Sequence, residues 1–423
     1  MKLICAPKKH RFNGKALAVV LYDNADRPTR GSAGAAIRDA ILRAGLYPDP
    51  KAWDFLSLAL AVIAADLAGH RAASPDGWTR EFELEVAVTD PGLWNSHRDL
   101  IHPLLGSLTT DRWNVGFSDG GFVPDPPPQP VLPTEDCVAL LSGGLDSFIG
   151  NIDLAAEGRH PLAVSQIVRG DAENQRTFAQ RIGGGIRHLQ LNHNTGVPKP
   201  ETPPSQRARS LIFVAYGVLA ATTLSRYHAG DDVTLYVCEN GFISINPPLT
   251  PMRLGSLSTR TTHPIIIGML QRLLDAAGLR VRIENPYQLK TKGEMLRACK
   301  DQALLLARAH DTTSCSRALR FGYTHCGRCI PCLVRRAACL AWGKTDKTKY
   351  VYGNLGRNDR DHAGFDDIRA LAMALAEAKA DGLEAWLGTS LSTALLGNVG
   401  PLQEMVGRGL KELAALLKAY GVK

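Results

Sequence analysis

The sequence predicts an α/β protein built on a parallel sheet, and three observations carry that reading. Short apolar runs alternate with helical stretches between residues 138 and 299, a rhythm that favours parallel strands covered on both faces. One of those runs ends in a glycine turn that opens a helix, an arrangement suited to holding phosphate. Four cysteines crowded between Cys315 and Cys332 add a metal-binding module.

Before residue 120 the chain reads as an additional α+β region. Residues 17–22 form a strand candidate. Residues 54–68 read as a helix, with Asp54 as its cap and Gly69 as its stop. Phe82, Leu84, Val86 and Val88 alternate with Glu83, Glu85 and Ala87, the pattern of a half-buried strand. A helix over 93–105 and a strand over 113–117 follow. No catalytic pattern stands out, and His97, Arg98 and Asp99 read as surface residues. Six prolines between 121 and 135 (Pro124, Pro126, Pro127, Pro128, Pro130 and Pro133) favour extended backbone and mark a linker. Beyond it, strands are expected at 138–141, 162–168, 188–191, 233–238 and 281–284. Helices are expected from the glycine turn to 157, over 173–182, 209–227 and 262–277, and from 292. An alanine- and leucine-rich helical tail begins near 366. The expected division is an amino-terminal region (1–120), a linker (121–135), a nucleotide-binding domain (136–310), a metal module (311–345) and a helical C-terminal region (346–423).

The chain has 423 residues and 45% hydrophobic content, enough for a large core and more than one domain. Its formal net charge of +8 is a mild basic bias that suits phosphate-bearing ligands and requires no nucleic acid. No apolar region precedes Cys5, and the longest apolar run, 55–67, is broken by Ser57 and Asp66. Neither a leader nor a membrane span is expected, which places the protein in the cytoplasm. In a reducing compartment clustered cysteines read as metal ligands. Cys5, Cys137, Cys238, Cys299 and Cys339 are scattered and read as small buried hydrophobes.

In the run Ser142, Gly143, Gly144, Leu145, Asp146, Ser147, the paired glycines let backbone approach an anion closely. The free amides of the helix start then attract it. Ser142 and Ser147 add hydroxyls. Asp146 would repel bare phosphate, so its expected work is to orient the loop or to serve Mg2+. The run lacks the Gly-Lys-Ser/Thr ending of a Walker A loop, which suits release of pyrophosphate from ATP. The cysteines follow Cys-x10-Cys-x2-Cys-x2-Cys, with Cys315, Cys326, Cys329 and Cys332 as ligands. Four thiolates close a tetrahedral shell around a structural Zn2+; an iron–sulfur cluster would use the same donors. His325 reads as a neighbour. Arg328, Arg335 and Arg336 are placed to neutralise thiolate charge.

Ser-Gly-Gly-x-Asp-Ser resembles the motif of the PP-loop ATP pyrophosphatases, which implies a Rossmann-like nucleotide α-hydrolase fold and AMP transfer to a substrate oxygen. Combined with Thr313-Ser-Cys315 and His325-Cys-Gly-Arg-Cys-Ile-Pro-Cys332, it resembles the 7-cyano-7-deazaguanine synthase (QueC) family over about residues 136–345. Arg207-Ala-Arg-Ser210 and Leu289-Lys-Thr-Lys292-Gly-Glu294 resemble that family's arginine stretch and lysine–glutamate helix start. The resemblance implies an ATP-dependent ligase that adenylates 7-carboxy-7-deazaguanine and passes the acyl group to an amine. It also implies ATP with Mg2+ and a structural zinc. The expected catalytic residues are Asp146, Ser147, Arg207 and Lys292. Ser142 to Ser147, with Ser165, are the expected ATP and pyrophosphate contacts. Arg209, Glu239, Asn240, Arg253 and Arg260 are expected to bind substrate.

The extra residues 1–120, the tail, and the segments around 165–171 and 239–263 depart from the housekeeping enzyme. The long form is similar to the QueC-like component of Qat anti-phage defence systems. That similarity implies a partner protein of the same system and a role in defence; related defence enzymes conjugate the deazaguanine to a protein amino terminus, which makes a partner's amino terminus one expected acceptor. Housekeeping members are commonly dimers, which makes a homodimer one expectation. Competing readings are a free synthase using ammonia, another PP-loop enzyme such as a tRNA thiolase or an adenylating amidase, and a non-catalytic module with a vestigial ATP site.

Overall fold

Ten strands among the described residues form two five-stranded sheets, and every pairing is parallel. The computed structural model describes residues 1–12, 14–205, 207–250, 262–356, 367–391 and 396–422. The first sheet holds β1 (Lys2–Pro7), β2 (Leu17–Leu21), β3 (Gly31–Ala33), β4 (Glu81–Ala87) and β5 (Arg112–Ser118) in the order β3-β2-β1-β4-β5. The second holds β6 (Cys137–Leu140), β7 (Pro161–Gln166), β8 (His188–Leu191), β9 (Val233–Tyr236) and β10 (Val281–Glu284) in the order β10-β9-β6-β7-β8. Both are wound alike. The first strand is central, the next two go to one side, and the last two return to the other.

The amino-terminal region is therefore parallel α/β, which corrects the α+β expectation. The physical reason lies in how that sheet is covered. The connections β1–β2 and β2–β3 contain no helix among the described residues. One face is left bare, and Glu81 and Glu83 stand exposed on it with Glu85 half-buried. A sheet solvated on one face shows the alternating pattern usually associated with antiparallel sheets. The second sheet is buried on both faces: Val138 and Leu140 enter one core, and Cys137, Ala139 and Leu141 the other.

Helix Pro50–Ala68 is buried almost all round, as a helix packed between two layers must be. It begins earlier than expected. Asp49 is the cap, accepting from the Lys51 amide at 2.9 Å ahead of a proline at the first turn. Asp54, expected to be the cap, lies inside the helix. It accepts from the Thr89 amide at 2.8 Å, the Thr89 hydroxyl at 2.6 Å and the Trp94 indole at 3.0 Å.

Helix Pro50–Ala68 packs on helix Arg209–Ala221 of the second half, and a single apolar core runs from Leu3 through Leu211 to Ile283. At its end, the fully buried Arg80 bridges Asp66 and Asp111, each at 2.6 Å. The proline-rich stretch thus joins two sheets that share one core. Deleting residues 1–120 is expected to give aggregated protein, because it strips the cover from helix Arg209–Ala221. Size exclusion and circular dichroism check this; a folded, monodisperse 121–423 fragment would contradict the shared core.

Helices Asp367–Asp381, Leu383–Leu391 and Gly400–Ala419 pack with Gly241–Ile245 and Ile330–Trp342 into a separate core. No helix among the described residues is long and apolar enough to cross a membrane.

Candidate functional site

In an open α/β sheet, ligands bind beyond the carboxyl ends of the strands, where the winding reverses. Here that point lies between β6 and β9. The glycine run leaves β6 there. Gly143 has φ +89°, which an L side chain rarely adopts, and a Cβ on it would meet Asp171 at 3.1 Å. Helix Leu145–Ala156 starts behind Gly144 with no side-chain cap. The amides of its first turn, Leu145, Asp146 and Ser147, have no intrahelical carbonyl to bond and carry the positive end of the helix dipole.

The loop is closed on itself. Ser147 Oγ accepts from the Ser142 amide at 3.1 Å and donates to the Gly144 carbonyl at 3.0 Å. Ser142 Oγ lies 3.0 Å from Ser147 Oγ and accepts from the Gly144 amide at 3.3 Å. Ser147 is buried, and its hydroxyl holds the loop's shape; Ser142 is exposed.

Residues from two other connections meet at Asp146. Lys292 donates its ammonium to Oδ1. Asn240 donates its side-chain amide to Oδ2 at 2.6 Å and its backbone amide at 3.3 Å. Each is placed by local structure. Asn240 follows β9 and caps helix Gly241–Ile245, accepting from the Ile243 amide at 3.0 Å. Gly241 approaches so closely that a Cβ there would lie 2.0 Å from the Gln288 carbonyl oxygen. Lys292 opens helix Lys292–Ala298, whose capping box pairs Thr291 and Glu294. Glu239 stands beside Asn240, accepts from the Thr262 hydroxyl and is clasped through its backbone by Asn285.

Two of the expected residues lie elsewhere. Arg207 is buried 3.9 Å over the Trp78 ring and donates to the Thr109 carbonyl at 3.1 Å and to Asp111 at 3.2 Å. It belongs to the seam between the halves, and its expected catalytic placement is corrected: an arginine held by a carboxylate, carbonyls and an indole is committed to packing. Ser165 is fully buried in β7, donating to the Leu141 carbonyl and lying 2.8 Å from His188 Nε2. It steadies the strand end under the loop. Burial lowers the His188 pKa to about 4, so that ring is neutral. Arg209 keeps to the loop side, close enough to Asp171 for their charges to interact. Arg253 and Arg260 lie outside the described residues.

The four cysteine sulfurs are buried and lie within 4.8 Å of one another. Two sulfur pairs, Cys315–Cys329 and Cys326–Cys332, are 3.8 and 3.9 Å apart. A tetrahedral site with metal–sulfur bonds of about 2.3 Å has edges of about 3.8 Å. Backbone amides point at the sulfurs: Arg317 and Cys326 donate to Cys315, each at 3.3 Å, and Cys329 donates to Cys326 at 3.3 Å. Such donors favour thiolate over thiol. The cluster can hold a metal such as zinc. His325 is a neighbour, accepting from the Ser314 amide at 3.0 Å.

The flanking arginines are held by backbone carbonyls and hydroxyls. Arg328 donates to the Asn354 carbonyl at 3.1 Å, and Arg336 to the Gly353 and Tyr352 carbonyls at 2.8 Å. Arg335 ties down Thr312 and Ser314, at 2.9 and 3.0 Å. Its grip reaches the glycine loop. The Thr313 amide donates to the Gly143 carbonyl at 2.9 Å and its hydroxyl to Asp171 at 2.6 Å, while Gln175 donates to the Ser142 carbonyl at 3.1 Å. Burial raises the Asp171 carboxyl above its usual range, opposed by Thr313 and by the Arg209 charge. Sequence reasoning noted Thr313 only as part of the cysteine motif and missed Asp171 and Gln175. Asp171 after Gly170 carried no periodic signal that could have marked it.

In comparison with known proteins, no family model matches the chain and no curated protein matches it.

Proposed function

We propose that the chain is a PP-loop ATP pyrophosphatase of the QueC-like kind. It adenylates a carboxylate of the 7-carboxy-7-deazaguanine type and passes the acyl group to an amine. The observation that carries this reading is the meeting of Asp146, Asn240 and Lys292 over a glycine-lined helix start, at the point where the sheet reverses.

The arrangement supports the chemistry as follows. First-turn amides receive phosphate oxygens of ATP. Lys292 supplies positive charge where pyrophosphate gathers negative charge on leaving. Asp146 holds that lysine, and Asn240 holds Asp146. Since both Asp146 oxygens are engaged, orienting is the role we assign to this carboxylate, and Mg2+ arrives on the phosphates of ATP. The substrate carboxylate oxygen attacks the α-phosphorus as the bond to the bridging oxygen breaks, and pyrophosphate departs. The amine then attacks the acyl carbon, loses a proton and displaces AMP. The four cysteines would hold a structural zinc, because four protein ligands leave no open position. None of the nine cysteines is paired in a disulfide, which leaves Cys315, Cys326, Cys329 and Cys332 available to a metal.

The acceptor we favour is the amino terminus of a partner protein, the acceptor that related defence enzymes use. A parallel sheet is ordinarily covered on both faces, and the bare face bearing Glu81, Glu83 and Glu85 is where that partner would sit. The test is mass spectrometry of reactions with ATP, Mg2+ and 7-carboxy-7-deazaguanine, with the neighbouring encoded proteins or with ammonia. AMP together with a deazaguanine adduct on a partner is expected. AMP with only free amide or nitrile would make this a long-form synthase, and no AMP under any condition would refute the reading.

A further inference from the structure

The helix Gly400–Ala419 reaches both partners of Asp146. Toward Lys292, Glu412 accepts from the Thr291 hydroxyl at 2.6 Å. It presses so closely on the next turn that a Cβ on Gly293 would lie 2.3 Å from Glu412 Oε1. Arg408 on the same helix donates to Glu294 at 2.6 Å and to the Leu289 carbonyl at 2.9 Å. Thr291 and Glu294 are the two halves of the capping box that starts the Lys292 helix, so this clamp acts on the cap itself. Toward Asn240, Gly409 lies against Phe242, where a Cβ would come within 2.2 Å of the ring, and Met405 lies against Gly241. One helix thus presses on the turns that carry Lys292 and Asn240. Glu412 is half-buried, shares its pocket with Phe242, Val334 and Leu413 and also with Thr291 and Lys292, and lies 3.9 Å from Arg297.

We propose that Glu412 is a positioning residue that sets the Lys292 ammonium against Asp146 by fixing the Thr291 cap, which makes the C-terminal helix part of the ATP site. The proposal rests on reading Lys292 as the phosphate-facing cation. Glu412 itself touches neither ATP nor the reacting atoms.

The experiment uses the full-length protein and an amine-acylating reagent, with labelling of Lys292 followed by peptide mass spectrometry. In the wild type, Lys292 is 7% exposed and should label slowly. Glu412→Ala is expected to speed its labelling and to lower ATP–pyrophosphate exchange by about tenfold each, the scale of one lost charge-assisted hydrogen bond. Other buried lysine-bearing segments and the melting temperature should change little. Glu412→Gln, which keeps an acceptor for Thr291, should recover most of the protection. If Glu412→Ala loosens the whole chain, Arg408→Ala breaks the same clamp from its exposed side and decides the matter. Unchanged Lys292 labelling in folded variants would overturn the proposal. Wild-type labelling that ATP fails to slow would instead count against the nucleotide reading and leave the clamp standing, so the two failures are distinguishable.

Discussion

Replacing Cys326 with serine, or withdrawing the metal with a strong chelator, is expected to disorder the glycine loop as well as the cysteine knot. The sulfurs lie within 4.8 Å of one another in a buried pocket, and a metal is what would hold four sulfurs at that separation. Structural zinc shells contribute on the order of 10–16 kcal/mol of apparent binding energy in peptides. Whole domains are stable by only about 5–15 kcal/mol, so nothing else nearby can compensate for the loss. Two links carry the disturbance onward. Thr313 stands two residues before Cys315 and bonds the Gly143 carbonyl at 2.9 Å. Arg335, three residues after Cys332, holds Thr312 at 2.9 Å. Amide hydrogen exchange should therefore rise over 142–147 together with 312–332, accompanied by loss of one metal equivalent and a large drop in melting temperature. Exchange confined to the knot would show that the loop stands without it.

Substituting Asp146 with asparagine should cost stability and activity together, and a double substitution should separate them. The side chains of Lys292 and Asp146 are only 8% and 11% exposed. Removing one partner of such a pair strands the other charge, at a cost of about 3–5 kcal/mol. Lys292→Met is expected to destabilise the chain by a similar route, through Asp146. Combining Asp146→Asn with Lys292→Met removes both charges and leaves Asn240 a neutral partner, so most of the stability should return. ATP–pyrophosphate exchange should not return, because the cation facing the leaving group is gone. Denaturant unfolding and exchange assays on the four proteins complete the cycle. Recovery of exchange in the double variant would remove Lys292 from the proposed chemistry.

The sequence determined those features whose physics is local. Paired glycines after an apolar strand specify an anion-seeking helix start, and Ser142 to Ser147 form one. Cysteines three residues apart can converge on one point by chain geometry alone, and Cys326, Cys329 and Cys332 need only Cys315 to close their set. The Thr291–Glu294 capping box was likewise written in four residues. Strands buried on both faces, such as β6 and β7, announced themselves as apolar runs.

What only the tertiary structure decided concerns partners far apart in sequence. A lone arginine carries no local signal of its neighbour, so Arg207 looked as well suited to phosphate as Arg209 until Trp78 and Asp111 claimed it. Ser165 looked available until its strand was found wholly buried. The strands β1 and β3, and the parallel pairing of the first sheet, follow from strand order, which alternation does not encode. The meeting of Asp146, Asn240 and Lys292 needed three strand ends brought together. The clamp from Glu412 needed a helix more than a hundred residues downstream to fold back over them. Periodicity describes one element at a time; side-chain chemistry at a site depends on which elements become neighbours.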